Sequence, residues 1–183
     1  EHINEEGERI LKQFGLFDEI EALGLLRMEQ LEYWHNGELV KLIKADPTIG
    51  HLGIHVPQSH LLGVILENAL KFEHMRYCDQ TRVIDLLQDE HGAYVGVEIE
   101  RGGLREQVLA KLIVGADGRF SAVRKLANVE ALKVKHGYDV LWARIPAPAD
   151  WTPSIKMALV DGHQLSVFTQ TNGFIQIGWN IKE

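Results

Sequence analysis

Residues 112–124 have the sequence Leu-Ile-Val-Gly-Ala-Asp-Gly-Arg-Phe-Ser-Ala-Val-Arg, and this stretch decides the fold. Its apolar start predicts a strand that ends at Gly115, and Ser121 is placed to cap a short helix that follows. Asp117 would then lie at the carboxyl end of the strand, the edge at which open α/β sheets bind ligands. Its carboxylate could accept hydrogen bonds from a ribose, and Gly118 would allow close backbone approach. The stretch therefore indicates a nucleotide-facing turn.

The helical end of this stretch carries positive charge. The N–H groups at the start of the helix favour a phosphate. Arg124 lies three residues after Ser121 and could add charge near a pyrophosphate or pair with Asp117. In the alternative interpretation Asp117 only caps the helix and nothing binds there. Gly-Ala-Asp-Gly alone leaves both interpretations open, whereas the full spacing Asp-Gly-x-x-Ser-x-x-Arg after an apolar strand favours a nucleotide.

Hydrophobic spacing elsewhere predicts helices upstream of this turn. Apolar residues at helical intervals predict an amphipathic helix over residues 6–17, with Gly15 or Gly24 at its end. A second helix, with a wide apolar face, should follow Pro57, and Ser59 is its expected cap.

Alternating patterns and turn residues predict several strands. Asn36-Gly37 predicts a hairpin within residues 28–43, because this dipeptide favours tight turns. From Val140 onward three prolines predict a loop, and the tail then resembles an antiparallel sheet. A mixed α/β protein is therefore predicted. The other predicted strands are residues 75–78, 83–87, 94–100, 107–114, 157–160, 164–169 and 174–181.

Composition limits the classes of function. The 183 residues are 45% hydrophobic and 25% charged, which is ordinary for a soluble globular protein. A net charge of -7 argues against a nucleic-acid partner. No apolar run approaches the roughly 20 residues that span a bilayer, and the polar first residues do not form a signal peptide. The single cysteine, Cys78, is expected to be buried and unpaired, and the cytoplasm is the expected compartment.

Other groups of reactive side chains indicate no site. His51, His55 and His60 have no cysteine or carboxylate nearby to complete a metal-ligand set, so no metal is expected. No serine or histidine belongs to a convincing catalytic triad. The tryptophans of the tail are expected mainly in the core.

Residues 114–124 resemble the second flavin motif of the single-component FAD aromatic hydroxylases. This family includes para-hydroxybenzoate hydroxylase and the ubiquinone-pathway hydroxylases. The resemblance implies that Asp117, Gly118 and Arg124 serve FAD and the passing nicotinamide cofactor, NAD(P)H.

Two upstream segments carry the resemblance further. Pro57-Gln58-Ser59-His60-Leu61-Leu62 is similar to a family helix that begins with Arg or Gln, which implies that Gln58 contacts the ribityl chain of FAD. Thr81-Arg82-Val83 is similar to a strand whose backbone contacts the adenine, which implies this role for Val83. Phe14-Gly15-Leu16 resembles the family's Leu-Gly-Leu phrase.

The resemblance implies the central part of a flavin-binding Rossmann-like domain, joined to an antiparallel substrate-domain sheet. Residues 1–27 and 55–129 would belong to the FAD-binding domain, and residues 28–54 and 130–183 to the substrate-binding domain. The implied activity is hydroxylation of an aromatic or related small molecule with NAD(P)H and O₂. No catalytic residue and no oligomeric state follow from it, although some tail aromatics would face the substrate.

Two departures from the family pattern imply a fragment. The chain has no Gly-x-Gly-x-x-Gly segment and lacks the later Gly-Asp segment, so an intact enzyme would extend beyond both ends. The chain alone is then expected to bind FAD weakly or not at all and to be inactive. The alternatives are a flavin-dependent halogenase, an isoprenoid reductase and a non-catalytic binding domain. Residues 142–146, Trp-Ala-Arg-Ile-Pro, only partly match the halogenase phrase Trp-x-Trp-x-Ile-Pro.

Overall fold

The computed structural model describes residues 1–182, which form two compact units. The first unit combines Glu1–Met75 with the chain from Lys135 onward, and the second is Arg76–Val134. Both units contain helices and strands, so the predicted mixed α/β class is confirmed. The first unit begins with β1 (His2–Ile3), α1 (Glu5–Gln13), α2 (Phe17–Ala22), β2 (Leu26–Arg27), β3 (Gln30–His35), β4 (Glu38–Lys44), β5 (Ile54–His55) and α3 (Gln58–Ala69). The second unit contains β6 (Thr81–Gln88), β7 (Tyr94–Arg101), β8 (Leu104–Leu109) and α4 (Ala122–Leu126). The chain then returns to the first unit, which is completed by β9 (Tyr138–Pro146), β10 (Ser154–Val160), β11 (His163–Gln170) and β12 (Phe174–Lys182).

The first unit is built on a six-stranded sheet with the order β4-β3-β10-β11-β12-β9. All neighbours are antiparallel except β3 and β10, which run parallel. The predicted hairpin is confirmed, with φ of 46° at Asn36 and 86° at Gly37. The predicted loop after Val140 is wrong, because β9 continues as an edge strand to Pro146, where a proline does not interrupt the hydrogen-bonded ladder.

The helices of the first unit pack on a three-stranded sheet with the order β1-β5-β2. The predicted single helix over residues 6–17 is interrupted at Gly15, whose φ of +70° cannot continue a helix. Ser59 does not cap α3, because this helix begins at Gln58 and Pro57 takes the capping position. The buried side chains between helices and sheet are Leu11, Phe17, Ile20, Ile54, Val56 and Val64.

A hydrogen bond across the six-stranded sheet shows how polar side chains are accommodated there. Glu32 accepts from the Lys156 ammonium at 2.9 Å and from the Trp34 indole at 2.7 Å. Burial raises the pKa of Glu32, but its hydrogen bonds from Lys156, Gln30 and Trp34 outweigh this and leave the pKa below its ordinary value. The buried carboxylate is therefore ionised and joins the parallel pair β3 and β10.

The second unit is a meander of β6, β7 and β8 followed by the turn at residues 115–121 and α4. The strand predicted over residues 107–114 ends at Leu109, and the strand predicted over residues 75–78 does not form. Leu112 and Val114 are 79% and 75% exposed, since no described strand pairs with them. Cys78 is exposed, so its predicted burial is wrong.

Candidate functional site

A cleft of about 650 Å³ opens in the first unit, where the start of α3 faces the six-stranded sheet. Gln58 and Ser59 contribute from the first turn of α3, and His55 precedes that helix. The cleft is open and mixed in polarity, so it suits a ligand that has both ring and hydrogen-bonding groups. The sheet contributes Trp142, Arg144 and Gln176.

The register of β9 and β12 places the sheet side chains of this cleft on one face. Trp142 pairs with Gly178 and Arg144 pairs with Gln176, and directly paired residues share a face. A Cβ atom at Gly178 would lie 2.6 Å from the Trp142 ring. Glycine is therefore required here for the ring to lie against the backbone of β12.

Arg144 is held by an aromatic ring. Its guanidinium carbon lies 4.0 Å from the centre of the Phe174 ring. Among residues 1–182 no carboxylate lies within 4.0 Å of this guanidinium. The cleft thus contains a cation whose hydrogen-bond donors have no acidic partner in the described part of the chain.

Two histidines, the buried His55 and the half-buried His2, stand beside the cleft. The rings of His2 and His55 are 5.1 Å apart, and His2 also lies 4.8 Å from Phe168. Burial foremost, together with nearby positive charges that include Arg144, lowers the pKa of His55 to about 3. Burial likewise lowers the pKa of His2 to about 4. His55 is therefore neutral at pH 7, and its Nδ1 accepts from the Thr171 N–H at 3.3 Å.

The residues suggested by sequence as cofactor contacts fall into both units. Gln58 lies in the first unit, lines the cleft and makes no side-chain hydrogen bond to another described residue. Val83 lies on β6, the edge strand of the three-stranded meander in the second unit. Asp117, Gly118 and Arg124 come together within a single turn of that unit. Their roles toward a cofactor stay predictions.

Asp117 performs the capping role that its sequence position allowed. Its carboxylate accepts from the Ser121 hydroxyl at 2.5 Å and from the N–H groups of Ala122 and Val123 at 2.6 and 3.1 Å. These hydrogen bonds, the one from Ser121 foremost, hold the pKa of Asp117 below its ordinary value. Ser121 in turn accepts from the Arg124 N–H at 2.9 Å. The first N–H groups of α4 are therefore already bonded to side chains.

The surroundings of this carboxylate leave some room for a ligand. A carboxylate has about four lone-pair sites, and three hydrogen bonds occupy the Asp117 oxygens. Gly118 has a φ of +80°, and no atom lies within 4 Å of the place where its Cβ would be. Arg124 donates to the Arg119 carbonyl at 3.1 Å, and no ion pair joins it to Asp117. The turn therefore leaves space for a ligand at Gly118, whereas the first N–H groups of α4 are already hydrogen-bonded to side chains.

Gly115 explains why this turn has its sequence. A Cβ atom there would lie 2.9 Å from the Val123 Cγ1, so glycine allows the chain to pass close to α4.

No group of metal ligands occurs among the described residues 1–182. No helix in that range is long and apolar enough to cross a membrane.

Sequence reasoning missed the sheet side of the cleft. The prolines after Val140 predict a loop, so Trp142 and Arg144 are not predicted as strand residues, although they alternate with Leu141, Ala143 and Ile145 as strand residues do. This period of two was the available signal. The pairing with Gln176 and Gly178 could not be read from it, because register depends on strands that are far apart in sequence.

A match to the FAD binding domain family covers residues 2–181. The chain belongs to this family. It is 33% identical over 129 residues to a 6-methylpretetramide 4-monooxygenase from Streptomyces rimosus, a match that covers 70% of this chain and 30% of that protein. The predicted resemblance to FAD-dependent hydroxylases is confirmed.

Solved structures of FAD enzymes share the fold. PqsL from Pseudomonas aeruginosa, a probable FAD-dependent monooxygenase, superposes with a TM-score of 0.83 and 19% identity over 99% of this chain and 50% of that chain. The flavin-dependent brominase Bmp2 gives 0.73 and 14% identity over 96% of this chain and 44% of that chain. The chain therefore spans about half the length, or less, of these relatives.

Proposed function

We propose that the intact protein is an FAD-dependent monooxygenase that hydroxylates an aromatic small molecule with NAD(P)H and O₂. The observation that carries this proposal is the family match over residues 2–181, which includes both the cleft at Gln58 and the turn at Asp117. The same proposal places the protein in the cytoplasm, where NAD(P)H is supplied.

The residues of the cleft fit the ribityl part of FAD. Gln58 offers an amide with two donors and one acceptor carbonyl, and it faces a cleft of about 650 Å³. Hydroxyl groups of a ribityl chain can take both kinds of bond. We assign Gln58 to this contact, and the division into FAD-binding and substrate-binding parts at residues 27/28, 54/55 and 129/130 belongs to the same proposal.

The second unit fits the nucleotide end of FAD less directly. Alternate backbone groups of an edge strand such as β6 point away from the sheet, which suits an adenine contact at Val83. Gly118 leaves open space for a ribose or phosphate. Asp117 would position this turn by capping the start of α4. A lone pair of its carboxylate would remain for a ligand. Arg124 would supply positive charge, since it has no acidic partner among the described residues.

FAD supplies the reaction with O₂ when it is bound, and the protein orients and shields the reactants. On this chain, Gln58 would hold the cofactor while the face of β9 and β12 positions the ring to be hydroxylated. The neutral, buried His55 keeps one wall of the cleft free of charge. None of these residues is assigned as an acid or base.

Relatives support an aromatic substrate. The Streptomyces rimosus relative is named for a monooxygenation of 6-methylpretetramide, and PqsL has been solved in complex with 2-aminobenzoylacetate. The aromatic side chains on the cleft face of the sheet, Trp142 and Phe168, suit a planar ring.

Halogenation is the second candidate, because the brominase Bmp2 and the halogenase CmlS share the fold with TM-scores of 0.73 and 0.74. Against it, residues 141–146 read Leu-Trp-Ala-Arg-Ile-Pro and lack the paired tryptophans of the halogenase phrase. An isoprenoid reductase and a non-catalytic binding domain have no such structural observation in their favour. Bromide-dependent formation of a brominated phenol would decide for halogenation.

The test is FAD binding and NAD(P)H oxidation by the intact protein. We expect bound flavin absorbance, and NAD(P)H oxidation that a phenolic compound stimulates. Gln58→Ala should weaken FAD binding by about threefold to tenfold, the value of one neutral hydrogen bond. Gln107→Ala, on an exposed strand of the second unit, is the matched control and should leave it unchanged. Intact protein that takes up no FAD would contradict the proposal.

A further inference from the structure

A buried contact between a carboxylate and an imidazole joins α1 to the loop between β4 and β5. The Glu8 Oε2 lies 3.2 Å from the His51 Nε2, and the two side chains are only 9% and 8% exposed. The other carboxylate oxygen, Oε1, lies 2.6 Å from the Lys12 ammonium. The two oxygens of this carboxylate therefore have different partners, one on its own helix and one on the loop.

The imidazole of His51 is also held from its other side. Its Nδ1 accepts from the Gly53 N–H at 3.2 Å. A neutral imidazole accepts at one nitrogen and carries its hydrogen on the other, so the hydrogen lies on Nε2, which faces Glu8. The carboxylate and the Gly53 N–H therefore favour the same tautomer of His51.

Gly53 occupies a backbone position that leaves little room for movement. Its φ is +145°, and a Cβ atom there would lie 2.9 Å from the Ile3 carbonyl oxygen. The Gly53 carbonyl accepts from the Met28 N–H at 2.9 Å, and the Met28 carbonyl accepts from the Leu52 N–H at 2.8 Å. The hydrogen bond to His51 thus holds the chain at the point where it packs closely against β1.

The segment after Gly53 leads directly into the cleft. Ile54 and His55 form β5, the central strand between β1 and β2, and Gln58 begins α3. His55 and Gln58 line the cleft, and the His55 Nδ1 accepts from the Thr171 N–H at 3.3 Å. Because Ile54 is fully buried and a packed interior transmits strain, a shift at Gly53 would reach both residues.

We propose that Glu8 and His51 are positioning residues that hold His55 and Gln58 at the cleft. Glu8 selects the tautomer of His51, this tautomer holds Gly53, and Gly53 fixes where β5 and α3 enter the cleft. The proposal rests on the proposed function in one consequence, the contact of Gln58 with FAD. It deepens that function by naming residues outside the cleft on which the contact depends.

Glu8→Gln tests the selection of the tautomer. Lys12 should bind the carbonyl oxygen of the new amide, which turns the NH₂ group toward the Nε2–H of His51. Two donors would then face each other, so the imidazole should move its hydrogen to Nδ1 and release the Gly53 N–H. NMR of the imidazole nitrogens should therefore show the Nε2–H tautomer in the unsubstituted protein and its loss in Glu8→Gln. Amide hydrogen exchange at Gly53 should become about fivefold faster, as expected for one lost hydrogen bond.

Two further variants separate this effect from a general loss of structure. His51→Asn removes the contact with Glu8 but keeps an acceptor for the Gly53 N–H, since an asparagine side chain can bond the backbone two residues on. Gly53 should stay protected in His51→Asn, and adding Glu8→Gln should have no further effect. Glu6→Gln is the matched control, because Glu6 lies on the same helix and pairs with the exposed Arg9 at 2.6 Å. It should change neither the tautomer nor the exchange.

The effect at the cleft is measured at Thr171, whose N–H reports the position of His55. In Glu8→Gln its exchange should be about threefold faster relative to the amides of β10 and β11, which report general destabilisation. These readouts use the intact protein without added FAD. In a separate titration, Glu8→Gln should weaken FAD binding by about threefold, and by less in the Gln58→Ala background.

Two results in Glu8→Gln would overturn the proposal. One is an unchanged tautomer with unchanged exchange at Gly53, and the other is faster exchange at Gly53 with none at Thr171. If all amides of Glu8→Gln exchange faster alike, His51→Asn decides, because loss of protection at Gly53 in that variant also overturns the proposal and retained protection supports it. The expected tautomer and exchange in an intact protein that binds no FAD would contradict the proposed function alone.

Discussion

Replacing Gly178 with alanine tests whether the Trp142 ring is fixed by the backbone beneath it. The new Cβ would lie 2.6, 2.8 and 3.1 Å from three ring atoms. The nearest of these atoms must move by about 0.8 Å to reach an ordinary contact of 3.4 Å. Overpacking of this kind costs about 1–3 kcal/mol in a closed core. Because the Trp142 ring is 55% exposed and can tilt outward, we expect a loss of about 1 kcal/mol.

Gly63→Ala is the matched control for this substitution. Gly63 lies inside α3, and no atom lies within 4 Å of the position of its Cβ. Alanine should therefore stabilise the protein by about 0.5–1 kcal/mol through better helix propensity. The two glycine-to-alanine changes should thus move the free energy of unfolding in opposite directions.

Urea unfolding followed by circular dichroism measures both free energies, and tryptophan fluorescence reports the displacement of Trp142. Under the proposed function, the tilted ring should also weaken binding of a phenolic compound in Gly178→Ala but not in Gly63→Ala. If Gly178→Ala were as stable as Gly63→Ala and bound the phenolic compound with unchanged affinity, the close contact between Gly178 and Trp142 would not exist as described.

Three further predictions concern charge and capping. Glu32→Ala should lower the free energy of unfolding by about 3 kcal/mol in urea titrations, because it leaves the Lys156 ammonium and two half-buried donors, the Trp34 indole and the Gln30 amide, unpaired. A smaller effect than that of an exposed control such as Glu38→Ala would contradict this. The folded-state pKa of His55 is about 3, below the ordinary 6.5, so the folded protein binds fewer protons than the unfolded chain between these values. Stability should therefore be complete above pH 6.5 and fall as the pH drops toward 3, and His55→Gln should flatten this part of the stability curve; an unchanged curve would refute the assignment. Asp117→Ala should speed amide hydrogen exchange at Val123, whereas Asp117→Asn should do so less, and unchanged exchange in both variants would argue against the cap.

The sequence allowed local features of the fold to be predicted where one residue type controls the backbone. Asn36-Gly37 predicted its hairpin because both residues adopt positive φ readily, and Gly15 marked the end of α1 for the same reason. The strands of the tail were predicted from their alternation and their turns. These features depend on near neighbours in the chain, so they can be recognised without a structure.

Features that depend on distant pairing could not be predicted in this way. The apolar residues Leu112 and Val114 have strand character but no partner among the described strands, and they lie outside the strands and are exposed. The parallel alignment of β3 with β10 joins residues more than a hundred positions apart. The same limit applied to Trp142, because its role depends on Gly178 in another strand.

The candidate site was predicted in part. Gln58 was singled out from a motif, and the structure places it on the cleft. The capping alternative for Asp117 was stated from the sequence and matches the observed hydrogen bonds. The lone pairs that Asp117 keeps for a ligand depend on the hydrogen bonds of the folded turn, which no sequence pattern reports.

The most direct test of the proposed monooxygenase is the origin of the oxygen atom in its product. The intact protein, with FAD, NAD(P)H and a bound phenolic compound, is supplied with isotopically labelled O₂, and the product is analysed by mass spectrometry. The account predicts a hydroxylated ring that carries one labelled oxygen atom per NAD(P)H consumed. Label-free product made with oxygen from water, or NAD(P)H oxidation in which no product forms from any aromatic compound bound in the cleft, would contradict it.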